Sequence, residues 1–403
     1  MKHQELEDHL LKLAEITAEK YAEVEHLGVL AGQSGIAMFH FYCAKYFDDD
    51  RFSETGVEII SSCIEKINEG YSYPTYCTGI AGFGWVLQHL LDEGFIDLDL
   101  DELLSPFDIY LKSQMRLDLE NVFFDFLHGA MGYGFYFLKR MLSEHTSEEI
   151  KQKYTLYLEE LIDGLERMSK KDAGGLWWES ILNKEQNNRG INLSLSHGMS
   201  SIVYILSRFY FAGISQSKIK TILGQVPSFL IKQKNPGKDG ISLFPSWIEL
   251  NKPLEYKSRL AWCYGDLGIS FALQWLSKIL NDNELSVMAE KILIHSSQRT
   301  EPELSLVKDT GFCHGSFGNA QIFRVTGLHT KQKKLQEVAD FWMKDGLAQY
   351  TGSPEEPFKQ WVAPDKSWRM ELNLLEGLSG IGLVLIDHLS DSPNNWDECL
   401  MLR

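Results

Sequence analysis

HGSFGNAQI from His314 and EGLSGIGLV from Glu376 share one form, a glycine, a second glycine three positions on, then an apolar run. The same form recurs as AGQSGIAMF from Ala31, TGIAGFGWV from Thr78, HGAMGYGFY from His128, HGMSSIVYI from His197 and YGDLGISFA from Tyr264. Seven copies make an internal repeat, and a repeat decides architecture before any single helix does. Their first glycines, Gly32, Gly79, Gly129, Gly198, Gly265, Gly315 and Gly377, stand 47, 50, 69, 67, 50 and 62 residues apart. In the fourth copy Ser201 replaces the second glycine.

Each copy runs into a mostly apolar helical stretch, such as IAMFHFYCAKYF from Ile36, and follows a more polar amphipathic one, such as the stretch around Leu156 to Met168. Strand-like alternation is scarce. About 50 residues accommodate two helices with their connections. The predicted fold is therefore all-α, an α/α toroid (double α-barrel) of seven inner and seven outer helices in one domain spanning residues 1–403. Inner helices should be buried nearly all round and outer ones should show a single apolar stripe. Glycine before each inner helix permits positive φ and lets neighbouring backbones approach. A straight solenoid is the alternative, but it needs polar capping repeats, and the last copy is as apolar as any other. The two long intervals flanking Gly198 leave room for loops.

Composition fits this reading. The chain has 403 residues, 44% apolar and 24% charged, as in ordinary globular proteins. Its 39 Lys and Arg stand against 56 Asp and Glu, a net charge of −17. So acidic a surface repels phosphate backbones, and no basic stripe compensates, so no nucleic-acid partner is expected. The N-terminal stretch MKHQELEDHLLKLAEITAEK lacks the continuous apolar core of a secretory signal, and no later stretch suits a spanning helix, which predicts a cytoplasmic protein. Six cysteines, Cys43, Cys63, Cys77, Cys263, Cys313 and Cys399, are then more readily buried residues, metal ligands or reactive thiols than a disulfide framework.

The two positions before each first glycine gather chemistry: Leu-Ala, Cys-Thr, Leu-His, Ser-His, Cys-Tyr, Cys-His and Leu-Glu. Zinc takes Cys sulfur and His nitrogen, and a catalytic site keeps three protein ligands and one open position. Cys263, Cys313 and His314, from the adjacent fifth and sixth repeats, make such a set; Cys77, from the second, reads as a packing cysteine. His197 and Asp125, from the fourth and third repeats, follow along the ring. A histidine without ligand duty there suits proton transfer, and a carboxylate can orient it. His128 shares the register of His197 and competes for that role, while Glu376 reads as a carboxylate at a helix N-terminus.

With these residues in view, the sequence resembles the lanthionine synthetase C-like proteins, and among them the stand-alone cyclases of lantibiotic biosynthesis. The resemblance covers essentially the whole chain and rests on SRLAWCYGDLG from Ser258, GFCHGSFGNA from Gly311, SLSHG ending at Gly198, FDFLHG with Asp125, NLLEGLSGIG and the tail WDECLML. It implies one Zn2+ held at Cys263, Cys313 and His314, an acid/base at His197, an active-site aspartate at Asp125, and further active-site positions at Arg259 and Tyr264. His128 departs from the acidic residue expected at that position in some cyclases. The implied reaction is addition of Cys thiols to dehydroalanine or dehydrobutyrine within a dehydrated lanthipeptide precursor, forming (methyl)lanthionine. The resemblance also allows a complex with a lanthipeptide dehydratase and an ABC exporter, peripheral at the inner face of the membrane. The alternative is a LanC-like zinc-dependent binder of glutathione or another thiol without cyclase activity. A glycoside hydrolase on an α/α toroid, with Asp125 and Glu376 as its carboxylates, is a third reading, and zinc lost on Cys263→Ala would count against it.

Overall fold

A computed structural model describes residues 3–183, 188–237, 240–249, 251–362, 365–390 and 394–403. The chain packs as two compact units, residues 1–111, 143–147 and 308–403 forming unit 1, and 112–142 and 148–307 forming unit 2.

All seven repeat glycines immediately precede a helix. In unit 1 these helices are Gln33–Phe47, Ile80–Asp92, Ser316–Thr330 and Leu378–Leu389. In unit 2 they are Ala130–Leu142, Met199–Phe211 and Asp266–Leu280. Their apolar runs are buried almost without interruption, Ile80 to Leu91 being one example. The helices between them behave as outer elements. In Asp50–Asn68 only Gly56, Ile59, Ile60 and Cys63 are buried, one stripe facing the preceding inner helix. Asp49 caps this helix by accepting from Arg51 N, and Asp282 caps Asn283–Ser297 by accepting from Glu284 N and Leu285 N.

Within unit 1 the last repeat returns to the first. Helix Leu378–Leu389 packs on Gln33–Phe47, and Leu375 N donates to Leu30 O at 2.8 Å. That packing gives the apolar last repeat a partner and removes the need for a polar cap. The loops before the helices are stitched together by backbone bonds, Leu27 N to Thr78 O and Cys313 N to Leu375 O in unit 1, and Leu195 N to Cys263 O in unit 2. The WDECLML tail forms a 3-10 turn over Trp396–Leu400, with Trp396, Leu400 and Met401 buried in unit 1.

The glycines serve close approach more than unusual φ. Among the seven first glycines only Gly265 has positive φ, at 88°. A Cβ at Gly79 or Gly198 would lie 2.1 Å from the carbonyl oxygen of Tyr73 or Asn192, and one at the second glycine Gly318 would lie 1.7 Å from Phe312 O. No side chain fits between backbones at those distances. Gly268 is a milder case, its Cβ meeting the Leu195 Cβ at 2.9 Å, two residues before His197. Gly268→Ala is expected to cost about 1–3 kcal/mol of overpacking, read from urea unfolding of the full chain.

The long intervals around Gly198 hold short strands as well as loops. Lys170–Asp172 pairs antiparallel with Gly175–Trp177, and Asn188–Asn192 lies between Ser180–Asn183 and Trp247–Glu249 with Ile191 opposite Ile248. Helix Gln216–Leu223 packs on the inner helix Met199–Phe211 that precedes it, and Val226–Lys232 packs on the strand Gly175–Trp177. A further hairpin, Gln360–Val362 with Ser367–Arg369, occupies the last long interval in unit 1. Strands of three to five residues are too short to leave a periodic signature. Among the described residues no helix is long and apolar enough to cross a membrane.

Candidate functional site

The candidate residues fall in both units. Unit 2 carries Asp125, His197, Arg259, Cys263 and Tyr264, and unit 1 carries Cys313 and His314.

In unit 2, the turn before helix Met199–Phe211 is built on side-chain to backbone bonds. Asn192 Oδ1 accepts from Ser194 N at 3.0 Å, and Ser194 Oγ accepts from His197 N at 2.9 Å. The carbonyl of Cys263 accepts from Leu195 N and from Ser196 Oγ, which locks the His197 turn to the Cys263 loop. Asp125 comes from the turn one repeat earlier. Its Oδ1 accepts from His128 N at 2.8 Å, and its Oδ2 lies 2.7 Å from His197 Nδ1. Both carboxylate oxygens are thereby aimed, and Nδ1 is committed to Asp125, which leaves Nε2 as the nitrogen for proton exchange.

Burial pulls the His197 imidazole down, but the Asp125 carboxylate, their hydrogen bond and the nearby Cys263 sulfur outweigh it, so His197 sits above its ordinary pKa. Burial pushes the Asp125 carboxyl up, but His197 and, after it, His128 together more than reverse this, holding it below the usual carboxylate range. The side chains remain 27% and 14% exposed, enough for a substrate to reach the imidazole. The exposed His128 ring lies nearly parallel to His197, with centroids 6.2 Å apart and planes at 22°. Its backbone N–H thus helps to aim Asp125 while its ring flanks His197.

The Tyr264 ring lies 6.0 Å from that of His197 and 5.7 Å from that of Trp247, which is 44% exposed. Trp247 went unread in the sequence, where no repeat position marks it. Arg259 is half-buried in the loop leading to Cys263.

In unit 1, Cys313 is buried and His314 is 20% exposed at the side chain. They occupy the turn before helix Ser316–Thr330, held by Cys313 N donating to Leu375 O at 2.7 Å and Ser316 N donating to Asp309 O at 3.0 Å. His314 Nε2 faces Asp309 Oδ2 at 3.4 Å. Burial pushes Asp309 up, but His314 and the N–H groups of Trp361 and Gly311 overcome it, and the carboxyl stays below its ordinary range. Asp309 was not singled out in the sequence. The signal is its place in KDTGFCHG, six residues before the first glycine, where Asn192 stands before Gly198 and likewise orders its turn. Cys77 is buried, and its carbonyl accepts from Leu30 N and Ala31 N, consistent with a packing role.

The donor set suits zinc. Cys263, Cys313 and His314 each offer one ligand atom, a sulfur, a sulfur and a ring nitrogen. A His whose far nitrogen rests on a buried carboxylate is the arrangement commonly found behind zinc-bound imidazoles.

Comparison with known proteins places the chain. The family model described as lanthionine synthetase C-like protein matches residues 23–401, and the chain belongs to that family. The nisin biosynthesis protein NisC of Lactococcus lactis subsp. lactis is 25% identical over 351 residues, 81% of this chain and 76% of that protein. The solved structure of nisin cyclase superposes with a TM-score of 0.78 at 20% identity, covering 99% of this chain and 98% of the other. That likeness shows the fold, the all-α toroid expected from the repeats.

Proposed function

We propose that this chain is a zinc-dependent lanthipeptide cyclase acting as one domain over residues 1–403. It adds Cys thiols of a dehydrated precursor peptide to dehydroalanine or dehydrobutyrine in the same peptide, closing (methyl)lanthionine thioether rings. The observation that carries this reading is the 2.7 Å Asp125–His197 bond on the turn clamped to the Cys263 loop. That geometry supports reading His197 as an aimed, partly exposed proton carrier on a turn tied to the loop of a cysteine suited to metal. Family membership and likeness to a protein named for nisin biosynthesis supply the substrate class.

Cys263, Cys313 and His314 would hold the zinc. When bound, zinc supplies a Lewis acid that keeps a substrate thiol, ordinarily with pKa near about 8.5, as thiolate at neutral pH. The addition balances without a redox partner: sulfur bonds to the β-carbon, the double-bond pair moves to the α-carbon as an enolate, and one proton returns there. His197 Nε2 delivers that proton, and Asp125 holds the ring at Nδ1. Tyr264 flanks the imidazole and restricts where the peptide can lie. Arg259 offers a cation to the enolate oxygen. The acidic chain would work in the cytoplasm, with a dehydratase and an ABC exporter as neighbours at the inner face of the membrane.

The test is incubation of purified protein with a dehydrated precursor, with and without chelator, counting unreacted thiols by alkylation and mass spectrometry. Ring closure is expected to need about one zinc per chain and to stop on its removal. Closure that persists after complete metal removal overturns the mechanism, and glutathione binding without turnover would favour the thiol-binding alternative.

A further inference from the structure

We infer that Asp309 is the positioning residue for His314, fixing its imidazole with Nε2–H toward the carboxylate and Nδ1 as the metal-facing nitrogen, and that it ties this ligand to the hairpin Gln360–Val362/Ser367–Arg369. The inference deepens the zinc reading above and rests on it. All of its grounds lie within unit 1.

The Asp309 side chain is 1% exposed and has three neighbours on its two oxygens. Gly311 N donates to Oδ1 at 3.2 Å, Trp361 N donates to Oδ2 at 3.2 Å, and His314 Nε2 faces the same Oδ2 at 3.4 Å. The main chain of Asp309 is pinned as well. Its carbonyl accepts from Ser316 N at 3.0 Å and from Ser316 Oγ at 3.3 Å, and Ser316 Oγ is itself 2.6 Å from Asp345. So constrained, the carboxylate cannot swing to follow the ring, and the ring must adapt to the carboxylate.

A neutral imidazole has one N–H and one lone pair. A carboxylate only accepts, so the nitrogen beside it carries the proton and the other keeps the lone pair a metal requires. The two backbone donors hold the Asp309 carboxylate in place independently of His314. The second link follows from the shared oxygen. Trp361 N reaches Oδ2 from the hairpin, Lys308 Nζ sits 5.4 Å over the Trp361 ring, and Trp361 packs against Trp368 at 5.5 Å. Trp368 is 48% exposed, so a peptide lying on this hairpin would press on a strand whose backbone shares an acceptor with His314.

Two measurements on the full chain decide the matter. Zinc affinity, taken by competition with a chromophoric chelator, is expected to weaken about 10–100-fold in Asp309→Asn, with near-ultraviolet circular dichroism of the metal-free protein unchanged. The His314 tautomer, read from long-range 1H–15N couplings in labelled wild-type protein, is expected to be Nε2–H with and without zinc, and this needs no variant to fold. An Nδ1–H tautomer in the wild type, or equal zinc affinity in wild type and Asp309→Asn, overturns the inference. Wild-type protein that binds no zinc defeats the proposed function instead, and the metal-free tautomer then still decides whether Asp309 sets the ring.

Discussion

In His197→Ala, ring closure on a dehydrated precursor is expected to slow by about 10²–10⁴-fold, the usual contribution of a positioned general acid or base, while bound zinc stays at the wild-type level. The split between metal and rate is the informative part. His197 is assigned no ligand duty, so its loss should leave the thiolate supply intact and block only return of the proton to the α-carbon. The pH profile adds a check with a definite sign. His197 must be protonated to donate, and despite the burial that opposes it, Asp125 holds its pKa above the ordinary imidazole value. Activity should therefore fall as pH rises past that raised value. In Asp125→Asn the opposing burial remains while the carboxylate charge is gone, so the falling limb should move to lower pH. Stopped assays over a pH series, with zinc quantified in every variant, measure both effects. A His197→Ala enzyme with normal closure rates would transfer the proton duty to another group, with the flanking His128 ring first in line.

What the sequence disclosed depended on whether a feature repeated. The seven glycine turns were legible because each must pass backbone against backbone, and the requirement recurs whatever the flanking side chains do; Gly79, Gly198 and Gly318 meet carbonyl oxygens within 2.1 Å of a Cβ. The expectation of positive φ was right in kind only at Gly265. His197 was legible because it stands immediately before such a glycine, and Asp125 only as a carboxylate in the turn of the preceding repeat; the two side chains are hydrogen-bonded. Groups defined by tertiary neighbours gave no such signal. Asp309 looks like any loop aspartate until Trp361, about fifty residues on, is seen to share its oxygen. The hairpin strands, Trp247 and the pair Asp266–Arg299 belong to the same class, since their partners come from segments without a common period.

That Asp266–Arg299 pair leads to the largest stability effect expected in unit 2. Asp266 opens the helix that follows Gly265, and its side chain is fully buried. Its oxygens accept from Leu243 N at 3.0 Å, Phe244 N at 2.9 Å and Arg299 Nη1 at 3.2 Å. Arg299, 3% exposed, also donates through Nη2 to Ser258 O and through Nε to Leu304 O at 3.0 Å. One ion pair thus fastens the segments around residues 243, 258 and 304 to a single helix start, and the Ser258 loop is the one that carries Arg259, Cys263 and Tyr264. Burial disfavours both charges, raising Asp266 and lowering Arg299 against the attraction between them. A buried pair of this kind is therefore a poor source of net stability yet costly to break, because the surviving charge has no water to turn to. Asp266→Ala strands the guanidinium and two backbone N–H groups, and is expected to destabilise the chain by about 3–5 kcal/mol in urea unfolding. Adding Arg299→Met should return part of that loss, since the stranded charge is gone while much of the side-chain volume remains. Cysteine reactivity provides a second reading in the folded fraction: with the Ser258 loop unfastened, Cys263 should alkylate faster than in the wild type. A single-variant loss below about 1 kcal/mol, or a double variant no better than Asp266→Ala, would mean that the pair does not hold the loop.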